Sequence, residues 1–466
     1  MNNVLLISYL FPPSGTVGVG RALAYVRYLR QHGCHVSVLT AHRPQTPGYD
    51  PELCELVPDD VAVHRAWNPE LPFTLRDRVW KRLASRHRER TEKRRDTYSI
   101  APGCDYNLRS WAKAQLRCLA QRILFPDPQG TWVPWALRKA TTVVTFADID
   151  TVILNVPPFS TLRIGVALKH RFPGLKIIID FRDEWLGYYL QRIDEPSPHK
   201  VRLAEKLEGE AVRTSSCVST VTQEWVRRLR GRYPDEPSDK FICTPNGYEP
   251  DMFSDFKSRN RADSKMLVTY FGSVHMNGVY SPKNYLNAME RLPGEIRTRI
   301  NTRFIGRVRP DAETCLQQSR VAVEQLGFMP KRQGLRYLEE TDFLLLIATD
   351  PTSHAGKLFD YLATGKPILA LTPPNGEIAK LLRETGAGWC ADPYDLEAIL
   401  AMLLKAFERL QTKEQLIQPK WDVIRTYSWP SIFKDFVFSL RIQERREDER
   451  RDLVKTENSK PTWAMM

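Results

Sequence analysis

The chain has 466 residues, 42% hydrophobic and 26% charged, with eight cysteines and a formal net charge of +13. That length exceeds one ordinary core and predicts two or three domains of a soluble or peripheral globular protein. It is no disulfide-stapled miniprotein and carries no C-x-x-C pair, no zinc spacing of Cys and His, and no apolar run near the about 18 residues that span a bilayer. Reduced thiols, a cytoplasmic location and no bound metal or cofactor are expected. Met1-Asn2-Asn3 leads into an apolar run without a small-residue cleavage site, so a signal peptide is not expected.

The first 45 residues have a clear order. Residues 4–10 form a short apolar run, expected as a buried parallel strand. F-P-P-S-G-T-V-G-V-G follows as a glycine-rich loop. Ala22, Leu23, Val26 and Leu29 recur at helical spacing through residues 21–32, Gly33 ends that helix, and residues 35–40 (H-V-S-V-L-T) are a second strand. This β-loop-α-β unit opens a doubly wound sheet. The glycines do not fit G-x-G-x-x-G, so no dinucleotide fingerprint is present. Even so, Gly15 and Gly18 lie between a strand and a helix, with Arg21 at the helix start, where phosphate or sugar would sit.

Residues 76–96, from Arg76 to Asp96, hold ten Lys/Arg against four Asp/Glu. They are expected as a basic helical insertion, either solvated or set against an acidic carrier or anionic lipid headgroups at the inner face of the cell membrane. Nucleic acid is not an expected partner, because no recognition fold or aromatic platform accompanies the charge.

Further strands are expected at 151–154, 176–180, 217–221 and 241–244, with helices at 162–170 and 197–214. D-F-R-D, Asp180 to Asp183, stands at the end of one such strand. It reads either as an Asp–Arg pair that orders a loop or, through Asp183, as a carboxylate near a reacting sugar carbon.

P-N-G-Y at 245–248 and the polar run 255–265 mark a linker. A second β-first series opens at 266–271 (M-L-V-T-Y-F), with a helix from about Pro282 and strands expected at 302–305, 321–326, 343–347 and 367–371. Its strand ends offer Ser273, Lys283 near a helix start as a catalytic cation that could neutralise the diphosphate as it leaves, Arg307 as a second basic candidate, and Gly327-Phe328-Met329 for a nucleobase edge. Two α/β halves predict ligand sites at strand ends and a cleft between domains. The expected division is 1–250, 251–425, and a C-terminal helix with charged tail at 426–466.

The stretch 353–371, S-H-A-G-K-L-F-D-Y-L-A-T-G-K-P-I-L-A-L, carries the most information. Ser353, His354 and Gly356 sit where a helix start leaves N–H groups free, and such an end with its positive dipole is an anion site. Lys357 and Asp360, three apart, share one helix face. A place for a diphosphate beside a carboxylate for ribose hydroxyls points to a nucleotide sugar.

Together, I-S-Y-L-F-P-P-S-G-T-V-G-V-G-R-A, D-F-R-D-E-W, P-N-G-Y-E-P-D-M-F, Y-F-G-S-V and K-L-F-D-Y-L-A-T-G-K-P-I-L-A resemble the family 4 glycosyltransferases of GT-B fold, over about Val4 to Phe436. The resemblance implies two Rossmann-like domains. It also implies transfer of a sugar from a UDP- or GDP-sugar, with retention and without metal, to a glycan, lipid-linked or small-molecule acceptor, in surface-polysaccharide or glycoconjugate assembly. The departing diphosphate would take the acceptor proton. Asp360 would hold the donor ribose, the backbone around His354 to Lys357 the diphosphate or sugar hydroxyls, and Gly15 to Gly18 would close over the phosphates. Three positions depart from the family: Thr352 stands where a first acidic residue is usual, Ser273 where an arginine is usual, and Arg182 where a histidine is often found. The alternatives are a catalytically weakened GT-B scaffold or nucleotide-binding protein, suggested by Thr352 and Ser273, and a nucleotide-sugar epimerase.

Overall fold

The computed structural model describes residues 2–16, 18–44, 48–69, 125–189, 198–259, 265–275 and 279–458. The basic stretch 76–96 lies outside the described residues, as do residues 260–264 of the expected linker.

Among the described residues, thirteen strands form two parallel sheets. The first contains β1 (Asn3–Ser8), β2 (His35–Ala41), β3 (Ala62–Ala66), β4 (Thr151–Val156), β5 (Lys176–Phe181), β6 (Cys217–Thr220) and β7 (Phe241–Cys243), in the order β3-β2-β1-β4-β5-β6-β7. The second contains β8 (Met266–Phe271), β9 (Ile300–Ile305), β10 (Val323–Gly327), β11 (Phe343–Ile347), β12 (Ile368–Leu371) and β13 (Gly388–Ala391), in the order β10-β9-β8-β11-β12-β13. In each sheet the strand order reverses at the first strand of the series, β1 or β8, so that strand's carboxyl end stands at a switch point where ligands bind in such folds. The chain divides into two compact units, Met1–Val218 and Ser219–Met466.

Parallel strands covered on both faces read as continuous apolar runs rather than alternation, and Val4 to Ile7 of β1 are fully buried. The side chains of β11 show how the two faces are filled. Phe343, Leu345 and Ile347 pack with Tyr285, Met289 and Leu403, while Leu344 and Leu346 pack with Leu358, Phe359 and Leu362. The period-2 geometry of a strand thus sends one set to the helices Lys283–Arg291 and Leu396–Gln411 and the other to Gly356–Thr364. Each such side chain, fully buried, contributes about 1.5–3 kcal/mol.

The helix Gly356–Thr364 is the compact element expected from the sequence. Leu358, Phe359, Tyr361 and Leu362 are buried, and Gly365 ends it at φ +67°, the left-handed geometry that favours glycine after a helix. The charged tail begins as part of the helix Trp429–Asn458, and residues after 458 lie outside the described ones. No described helix is long and apolar enough to cross a membrane.

Candidate functional site

In the first unit the loop after β1 is held by its neighbours. The Gly15 N–H donates to the Gly48 carbonyl at 3.0 Å, and a Cβ on Gly15 would meet the Asp50 Cβ at 2.8 Å. Gly18 caps the helix Val19–Gln31 at φ +98°. A Cβ on Gly18 would fall 1.7 Å from the Arg182 guanidinium, which lies across the loop and donates to the Pro157 carbonyl at 2.7 Å. The left-handed backbone favours glycine here, and a side chain would also displace the end of Arg182. Gly18→Ala is expected to cost about 1–3 kcal/mol, read as a lower denaturation midpoint; an unchanged midpoint would contradict this packing.

Arg21, at the start of that helix, is committed to a carboxylate. Its Nε and Nη2 donate to the two Asp180 carboxylate oxygens at 2.7 and 2.6 Å, and both side chains are buried. Of the D-F-R-D segment, Asp180 is thus the structural half: it anchors the helix behind the glycine loop to β5. Arg182 is the residue over Gly18; its own burial, with Arg21 nearby, lowers its pKa against the opposing pull of Asp183 and Asp180. Asp183 remains half-buried at the carboxyl end of β5.

In the second unit the expected residues gather around Lys357. Its ammonium sits 3.7 Å from the centre of the Tyr270 ring and 5.6 Å from that of Tyr280. It also touches Gly272, where a Cβ would lie 2.6 Å from Nζ. The Tyr270 hydroxyl donates to the Ser273 carbonyl at 3.1 Å, so Ser273, Gly272 and Lys357 form one group at the end of β8. Lys357 makes no ion pair with a described residue, and burial pushes its pKa down to about 7. Ring faces attract a cation without neutralising it.

Lys357 is the second residue of its helix and follows Gly356, which is exposed and has nothing within 4 Å of where a Cβ would stand. The helix start is therefore open above Gly356. His354 lies in the preceding loop with its Nδ1 buried and without a hydrogen-bond partner. Burial, against the pull of Glu377, holds its pKa at about 4, so the imidazole is neutral at pH 7. The Ser353 hydroxyl donates to Asp350, as do the Thr352 N–H and hydroxyl at 3.1 and 3.0 Å.

Thr352 itself is buried. Its hydroxyl accepts from Trp225 Nε1 at 3.0 Å, and its carbonyl accepts from the Thr222 hydroxyl at 2.9 Å. Thr352 therefore clamps the loop. Asp350, two positions earlier, is the carboxylate that this clamp orients.

Asp360 is mostly buried and accepts from Lys331 Nζ at 2.7 Å. Arg307, after β9, lays its guanidinium 4.5 Å over the half-exposed Phe328 ring, just past β10. Lys283 stands exposed at the first turn of its helix and makes no ion pair with a described residue. Lys357, Ser273, Gly356 and His354 are thus close in the structure, Arg307 stacks on a separate aromatic, and no contact links Lys283 to the group. Sequence reading missed Tyr270, Lys331 and Trp225. Tyr270 lies inside an apolar strand run and Trp225 inside a helix, so neither differs from core by pattern. Lys331 looks like any surface lysine. Among the described residues, no three His, Cys, Asp or Glu side chains gather as a metal site.

No protein-family model and no curated protein matches the chain in sequence. Solved structures do match. Sucrose-phosphate synthase from Thermosynechococcus elongatus superposes with a TM-score of 0.63 at 13% identity, over 95% of this chain and 98% of that one. HepE from Anabaena, in complex with UDP and glucose, gives 0.59 at 13%, over 94% and 99%. Trehalose 6-phosphate synthase from Burkholderia multivorans gives 0.58 at 12%, over 97% and 98%. At such identities the likeness establishes architecture, and the chain has the GT-B fold of these glycosyltransferases.

Proposed function

We propose that this protein is a retaining glycosyltransferase that moves a sugar from a UDP- or GDP-sugar to a glycan or lipid-linked acceptor, in surface-polysaccharide or glycoconjugate assembly. The observation that carries the proposal is the Lys357 ammonium, half-buried against Tyr270 beside an open helix start and without a carboxylate partner among the described residues. Enclosing a cation without a counter-ion is costly, and a diphosphate supplies the missing charge. The HepE likeness, a structure that holds UDP and glucose, supports the same ligand class.

On this reading the diphosphate lies over Gly356 and meets Lys357 and the helix N–H groups. The neutral His354 has a ring nitrogen free to bond a sugar hydroxyl or a phosphate oxygen. Asp360, ordered by Lys331, takes the ribose hydroxyls, and the base lies near Phe328. The bond from the sugar carbon to the diphosphate oxygen breaks as the acceptor oxygen bonds to the same face. The acceptor proton passes to the departing phosphate oxygen. Lys357 stabilises the charge that grows on the leaving group. Lys283, exposed at its helix start, is proposed as a cation that neutralises the departing diphosphate.

Asp360→Ala is expected to weaken UDP binding by about 5- to 50-fold, the loss of one or two hydrogen bonds to a charged group. Calorimetric titration with UDP measures this, and an unchanged affinity removes Asp360 from the ribose site. Thr352, absorbed into the Trp225 clamp, and Asp360, already paired with Lys331, favour the nucleotide-binding scaffold as a second reading. Sugar release from a panel of UDP- and GDP-sugars decides between the two: the transferase turns one over, and the scaffold binds nucleotide without turnover.

A further inference from the structure

The first unit carries a cavity of about 400 Å³ that the donor group does not use, bordered by the helices Thr161–Arg171 and Pro198–Thr214. Its size falls within the about 300–1,000 Å³ of small-molecule clefts. The floor is apolar: Phe125, with Leu203 and Leu207 one helical turn apart. The rim is basic, formed by Arg163, Lys206 and His199, against Glu210, which faces His170 at 3.4 Å.

Lys206 and His199 make no ion pair with a described residue. Burial lowers the Arg163 pKa against the pull of Asp127, whose carboxylate already accepts from the Ser160 N–H and hydroxyl at 2.9 and 2.7 Å. An oily floor under under-neutralised cations matches a molecule with an apolar chain and an anionic head. A bare anion would leave the floor unused, and a neutral lipid would leave the rim uncompensated.

The cavity also connects with the D-F-R-D-E-W segment. The Phe125 ring packs on Trp185 with centroids 6.2 Å apart, and Trp185 stacks on Phe159 at 4.8 Å and 10°. Trp185 lies two residues after Asp183 in that segment.

We propose that this cavity holds the hydrocarbon chain and phosphate of a lipid-linked acceptor, an isoprenoid or alkyl phosphate. The assignment rests on the glycosyltransferase reading for the word acceptor, but the binding itself does not.

The test titrates the full-length protein by calorimetry with farnesyl phosphate, farnesol and inorganic phosphate, with UDP as a separate arm. Farnesyl phosphate should bind at least about tenfold tighter than farnesol, and inorganic phosphate should show no binding in the same range. Arg163→Gln with Lys206→Gln should lose about tenfold for farnesyl phosphate while leaving farnesol and UDP unchanged; retained UDP binding reports a folded protein. Lys206→Glu alone, at an exposed position, should weaken farnesyl phosphate in the same direction. Equal affinity for the alcohol and the phosphate, indifference to these variants, or binding only to anionic vesicles would overturn the proposal. Failure of UDP to bind, with farnesyl phosphate binding intact, would instead remove the donor-site reading and leave this cavity standing.

Discussion

Replacing Lys357 with Met should weaken binding of UDP by about 10- to 100-fold, the value of a charge-assisted contact of about 1.5–3 kcal/mol. Methionine keeps the length and the packing on Tyr270 and removes only the charge. The fold should be unharmed: an ammonium that lacks a carboxylate partner has none to leave stranded, so the unfolding midpoint of the free protein should hold or rise. This pairing of lost affinity with retained stability separates a ligand-binding lysine from a structural one.

The same residue sets a pH dependence. Burial holds its pKa at about 7 in the free protein, well below the ordinary lysine value. A bound diphosphate favours the ammonium and raises that pKa, so binding takes up a proton wherever free Lys357 is neutral. Below pH 7 the charged form is already present and affinity is level. Above pH 7 affinity falls, approaching about tenfold per pH unit until the bound-state pKa is reached. Titrations between pH 7 and 8.5 should show this slope in the native protein and a flat line in Lys357→Met. A flat native profile would remove Lys357 from the phosphate site.

The second large effect concerns stability. Asp180→Ala should destabilise the protein by about 3–5 kcal/mol, because it strands the buried Arg21 guanidinium, which loses both of its carboxylate contacts. Arg21→Met alone should do much the same to the carboxylate. The double replacement Arg21→Met with Asp180→Leu should recover most of the loss, since an apolar pair of similar volume needs no counter-charge. Denaturant titration of the three variants closes the cycle. If Arg21 instead served a phosphate, Arg21→Met would weaken UDP binding and leave the midpoint alone.

These two residues show what local pattern conveys. Arg21 and Lys357 are both basic residues near a helix start after a glycine-bearing loop, and from sequence they look alike. One is locked to a carboxylate 159 positions away; the other faces two tyrosine rings. Nothing within a window of ten residues tells these environments apart, because the partner of a charge is chosen by the fold.

Strands divide the same way. The buried runs at β1, β4, β5, β8 and β11 are legible because parallel strands covered on both faces need unbroken apolar sequence. Strands β3 (A-V-H-R-A) and β13 (G-W-C-A) are not, since each is short with a single buried side chain and is held by backbone pairing to β2 and β12.

Read alone, then, the chain determines its class, two parallel α/β sheets, and it locates the loop and helix around Ser353 to Asp360, because strand burial and helix termini are local properties of composition and spacing. Folding alone decides which charges remain available. It commits Arg21 to Asp180, Thr352 to Trp225 and Asp360 to Lys331. It leaves Lys357 against Tyr270 with its charge unanswered, because electrostatic partnership depends on contacts between residues that sequence keeps far apart.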